Sequence, residues 1–130
     1  NQRGQHDKLL AELNDAVFAF QQDLAGQKQD QRVLTFTFSE FSRNIKENGS
    51  LGTDHGHGSM MMVMGGNVDG GKVHGEWPGL EDGQMIGPGD LAVTTDYRDV
   101  LSEVLQKRLN NPATDQIFPD YSPVMRNLLR

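Results

Sequence analysis

Apolar residues recur at helical spacing early in the chain: Leu9, Leu10, Leu13, Val17, Phe18 and Leu24, with Gln, Asp and Glu between them. A period near 3.6 residues gathers such positions on one face. The pattern predicts an amphipathic helix over 6–25, about five turns long, with Asp7 as N-cap and Gly26 as stop. A polar linker covers 26–31. The run 32–38 is β-branched and aromatic and predicts a buried strand. Helix, short loop and strand in that order suggest an α/β fold.

Beyond Phe38 the periodicity disappears for about twenty residues, a length at which connections inside compact domains tend to be functional. Met60–Met64 is then a short apolar run closed by Gly65 and Gly66, and it predicts a second buried strand. Neither 32–38 nor 59–64 alternates, so both are expected side by side in a sheet covered on both faces, with the helix packed on one of them. Val68 and Val73 flank Asp69-Gly70-Gly71, a hairpin signature. A short strand follows over 91–96. Asp96 is placed to cap a second helix with Val100, Leu101, Val104, Leu105 and Leu109 on one face, ended by Asn111-Pro112. In the tail, Phe118 and Tyr121 are the expected anchors.

Composition narrows the function. The 130 residues are enough for one core, and the chain reads as a single domain over 1–130. A net charge of −6 argues against a nucleic-acid binder. No apolar run approaches a membrane span. With no Cys, any metal must be held by His, carboxylates and water.

The candidate chemistry sits in 52–58, Gly-Thr-Asp-His-Gly-His-Gly. Asp54, His55 and His57 are ligand types suited to zinc and similar divalent ions. On an extended backbone His55 and His57 point to one side, and the glycines offer backbone freedom to bring neighbours together. A solvent-exposed polar loop is the competing reading. Glu40 lies just past the predicted strand, where α/β folds place their sites; its carboxylate is either a further ligand or an ordinary solvated loop residue. Arg43 could offer a fork to a phosphate or sulfate oxygen. Met60–Met62 and Met64 resemble a flexible binding stripe, but packing as a strand explains them better. Trp77 closes the hairpin or lines an entrance. No Walker loop, nucleophile elbow or H-E-x-x-H motif is present.

Three segments, 9–24, 33–80 and 90–105, resemble the C-terminal part of a sulfatase-like family of exported bacterial proteins of unknown function grouped with the alkaline phosphatase superfamily. The block from Ser39 to Gly49 together with 52–58 carries most of that likeness. The resemblance implies a three-layer α/β sandwich with a mostly parallel sheet, of which this chain is a C-terminal portion. It implies Glu40 and His55 or His57 as metal ligands, with Asp54 a further ligand or an orienting partner. The metal is expected to be zinc, with calcium, magnesium or manganese as alternatives. The implied activity is hydrolysis of a phosphate or sulfate ester, with the nucleophile supplied by a missing N-terminal part or an oligomer mate; a non-catalytic binding or scaffold module is the alternative. A small anionic, sulfated or phosphorylated substrate and a periplasmic or secreted location follow from the same likeness. Glu40 stands where the family carries Asp, a departure from its pattern.

Overall fold

The computed structural model describes residues 2–130, and its side chains from residue 4 onward. The chain divides into two compact units: 1–66 with 78–92, and 67–77 with 93–130.

In the first unit, helix α1 spans Gln2–Gly26. Asp7 therefore lies inside the helix rather than at its cap. The helix ends in a Schellman motif: Lys28 has φ 57°, its amide donates to Ala25 O (3.0 Å), and the Gln29 amide donates to Leu24 O (2.8 Å). The left-handed position is Lys28, and Gly26 is the last helical residue. Strand β1 (Leu34–Phe36) pairs antiparallel with β4 (Val63–Gly65), in register Leu34↔Gly65 to Phe36↔Val63. Between them, β2 (Ser42–Arg43) pairs antiparallel with β3 (His55–Gly56).

The two predicted strand runs do meet, but the sandwich does not form. Among the described residues the strands make two antiparallel two-stranded ribbons. The physical limit on β1–β4 is visible at both ends. At Gly65 (φ 130°) a Cβ would lie 3.0 Å from Leu34 Cα, and at Gly66 one would lie 2.5 Å from Gln31 Cα, so the backbones crowd. At the other end the Met62 amide donates to the Thr37 side chain (2.9 Å) while Thr37 N–H donates to Met62 O (3.0 Å). A hydroxyl has replaced one rung, and the methionines beyond it leave the ribbon, with Met60 78% exposed. Nor is the ribbon covered on both faces, since Phe36 and Met62 remain exposed.

In the second unit, α2 (Tyr97–Glu103) starts as the sequence suggests: Asp96 accepts from Arg98 N. It continues into a π-helical turn over Val104–Arg108, closed by the Leu109 amide on Val104 O. A short helix α3 follows at Thr114–Ile117. The predicted strand at 91–96 is absent. The Val68–Val73 hairpin is not formed either: Val68 instead makes an isolated antiparallel bridge to Leu129, and Val73 is 97% exposed.

Among the described residues, the buried apolar side chains are Val100, Val104, Leu128 and Leu129. Beside them two carboxylates are sealed off, Asp99 at 1% and Glu103 at 0% exposure. Asp99 accepts from Tyr121 Oη (2.7 Å), Val124 N (2.8 Å) and the Arg126 guanidinium. Glu103 accepts from Lys107 Nζ (2.9 Å), Arg126 N (2.9 Å) and Leu129 N (3.0 Å). The tail is almost devoid of regular structure, so these two side chains supply the acceptors that a sheet or helix would otherwise give its amides.

Candidate functional site

The loop between β2 and β3 lines a shallow, open cleft of ≈ 560 Å³ together with the strand residues beside it: Arg43, Asn48, Ser50, Thr53, Asp54 and His55. Its geometry begins with the ribbon. Arg43 and His55 are cross-strand partners, and the next pair along is bonded through Asn44 N–H to Asp54 O (2.9 Å). In an antiparallel ladder this leaves Arg43 and His55 at a non-hydrogen-bonded pair, where facing side chains come closest. The His55 ring lies against Phe41, with centroids 4.1 Å apart and a 31° interplanar angle. The Arg43 guanidinium sits 5.6 Å from the same ring centre and donates from Nη1 to Thr53 O (3.0 Å).

Asn48 organises the loop. Its Oδ1 accepts from Ser50 N (3.0 Å) and Gly52 N (3.2 Å), and its Nδ2 donates to Asp54 Oδ1 (2.8 Å). Its own amide donates to Gly52 O (2.8 Å). The left-handed residue of this loop is Leu51 (φ 58°), whereas Gly52, Gly56 and Gly58 do not have positive φ. Gly56 and Gly58 are needed for another reason. A Cβ on Gly56 would lie 2.6 Å from Arg43 C and 2.7 Å from Asn44 N, and one on Gly58 would strike Leu91 O. These glycines let backbones approach; they do not supply unusual dihedral angles.

Of the residues singled out in the sequence, Arg43, Asp54 and His55 are brought together in one cleft. Glu40 is exposed in the bend between β1 and β2, and His57 is exposed beyond β3; neither lines the cleft. Among the described residues, no three His, Asp or Glu side chains gather as a metal would require. Asp54 is engaged by Asn48, His55 is stacked, and Arg43 brings positive charge into the same space. Residue type alone does not single out Asn48, Ser50 and Thr53 as cleft residues; the available signal is the Asn-Gly turn between Arg43 and His55.

Among the described residues, no helix is long and apolar enough to cross a membrane. Among curated proteins and among solved structures, nothing matches the chain. The likeness to sulfatases and alkaline phosphatases is corrected by the family comparison, in which no such family matches. Residues 1–112 match DUF1501, described as a protein of unknown function, and the chain belongs to that family.

Proposed function

We propose that the Arg43–His55 cleft binds the anionic head of a small phosphate or sulfate ester. The observation that carries this reading is the placing of Arg43 directly across the ribbon from His55, in a cleft where Asn48, Ser50 and Thr53 add polar groups and the Asp54 carboxylate is engaged by the Asn48 side-chain amide. A guanidinium presents a planar set of N–H donors matched to tetrahedral oxyanions. Phe41 supports both His55 and Arg43 from one side and limits their side-chain freedom.

Binding, rather than turnover, is the role this geometry favours. Ester hydrolysis would need an activated nucleophile and charge stabilisation at the reacting oxygens. The ester-hydrolase reading therefore requires groups supplied from outside this cleft, and a binding module requires none.

Calorimetric titration of the chain with inorganic phosphate, sulfate and p-nitrophenyl phosphate tests the proposal. Saturable binding that weakens with added salt and falls about tenfold or more in Arg43→Ala is expected. Amide chemical shifts of Asn48, Thr53 and Asp54 should move on titration. An unchanged affinity in Arg43→Ala, or no binding at millimolar anion, overturns it. A zinc titration in parallel, with tight binding lost in His55→Ala, would instead favour a metal site.

A further inference from the structure

We propose that Asn48 is a self-modifying residue: the folded loop activates its side-chain amide for conversion to aspartate and isoaspartate. Asn48 is followed by Gly49, and no other asparagine of the chain precedes a glycine. Without a Cβ on the next residue, that residue's amide nitrogen can reach the side-chain carbon.

The structure adds two features that an unfolded Asn-Gly segment lacks. Oδ1 receives two backbone N–H donors, from Ser50 (3.0 Å) and Gly52 (3.2 Å). They stand where negative charge develops on Oδ1 when Cγ is attacked, the arrangement that stabilises oxyanions in acyl transfer. On the other side Nδ2 faces Asp54 Oδ1 at 2.8 Å, so positive charge gathering on the departing nitrogen meets a carboxylate.

The chemistry balances without any oxidant or cofactor. The Gly49 nitrogen attacks Asn48 Cγ, forming a C–N bond. The Cγ–Nδ2 bond breaks, and Nδ2 leaves as ammonia carrying the proton that the Gly49 amide gives up. Solvent water then opens the five-membered imide at either carbonyl, leaving aspartate or isoaspartate at position 48. The product sets a carboxylate against Asp54 and removes the donor that held it. If the cleft binds anions as proposed above, the added negative charge weakens that binding; this consequence rests on that reading, whereas the modification does not.

The test follows mass gain and ammonia release at Asn48 by peptide mapping during warm, mildly alkaline incubation. It compares the folded chain, the same chain in denaturing urea, and Asp54→Asn in both states. Conversion about three-fold or more faster in the folded chain than in urea, with Asp54→Asn slowing only the folded state, is expected. Folded conversion equal to or slower than the unfolded rate overturns the proposal, as does an Asp54→Asn variant that converts at the parent rate. Phosphate titration of Asn48→Asp reports separately on the cleft: weaker binding supports the proposed consequence, and unchanged binding counts against the anion reading while the mass result stands.

Discussion

Asp99 and Arg126, 27 residues apart, meet through one carboxylate oxygen that accepts from both Nε (2.9 Å) and Nη2 (2.6 Å) of the guanidinium. The other oxygen of Asp99 is taken by Tyr121 and Val124. A single side chain on α2 thus fixes three residues of the tail. The two leucines that complete the core, Leu128 and Leu129, come after Arg126 with one residue between.

Replacing Asp99 by Ala should therefore destabilise the chain by about 3 kcal/mol, the range seen when one member of a buried, hydrogen-bonded ion pair is removed. Arg126→Lys should cost less, because a single ammonium can still meet Oδ2 but loses the fork. Urea denaturation followed by circular dichroism checks both. A cost for Asp99→Ala below that of Arg126→Lys contradicts the network.

The same network sets the response to pH. Burial pushes the Asp99 carboxyl up, but the Tyr121 hydroxyl, the Val124 amide and the Arg126 guanidinium outweigh it and hold it below its ordinary value. Glu103 behaves alike: burial opposes, while the Leu129 amide, Lys107 and the Arg126 amide prevail. Groups whose folded values are depressed add stability that is complete above their unfolded values, about 3.9 and 4.3, and lost as pH falls through the folded ones. Denaturation midpoints should drop below about pH 4, and Glu103→Gln should flatten that fall.

Tyr121 gives the opposite limb. Burial first, then its hydrogen bond to Asp99, pushes the phenol from 10.0 to about 12. A raised folded value means its contribution is complete below about pH 10 and lost as pH climbs towards the folded value. Tyr121→Phe should be less stable than the parent at neutral pH, and the difference should narrow in strong alkali. A constant difference across that range rules out the linkage.

The apolar positions of α1 do form a stripe, but the stripe is not buried. Leu10, Leu13 and Val17 line a groove of ≈ 320 Å³ with Met60, Met62 and Met64, yet Leu10 and Leu13 stay about half exposed. Substituting Leu10 by Gln should therefore cost about 1 kcal/mol or less, well under the ~2–5 kcal/mol expected of a buried leucine. Thermal unfolding of Leu10→Gln beside Leu129→Ala makes the comparison within one protein.

Helices are more legible than sheets in this chain for a physical reason. Leu9 to Leu24 and Asp96 with its following apolar residues are local signals, and local hydrogen bonds satisfy them. Strand pairing is not local. The runs 32–38 and 60–64 announce apolar strands, but only the crowding at Gly65 and Gly66 and the Thr37 side chain decide that three residue pairs form, in antiparallel sense. In the cleft, residue type points to Arg43, Asp54 and His55. It cannot tell that Glu40 and His57 are left outside, because that depends on the β2–β3 register. The buried roles of Asp99 and Glu103 depend on a tail whose path has no periodic signal.

Gly56 offers the sharpest test of how the cleft is built. Sequence reasoning assigns its importance to dihedral freedom; the structure assigns it to contact, since Gly56 has no positive φ and an added Cβ would press on Arg43 C at 2.6 Å and Asn44 N at 2.7 Å. Backbone atoms cannot swing aside as a side chain can, so the two strands must separate. Even Gly56→Ala should then destabilise by about 1–3 kcal/mol, as overpacking does, and should break the Arg43↔His55 pairing. Gly49→Ala is the control, because nothing lies within 4 Å of its Cβ position. The measurement is amide exchange at Asn44, whose N–H donates to Asp54 O across the ribbon. Exchange should quicken in Gly56→Ala and hold at the parent rate in Gly49→Ala. Equal protection in both variants would mean that the β2–β3 ribbon does not depend on backbone approach at Gly56.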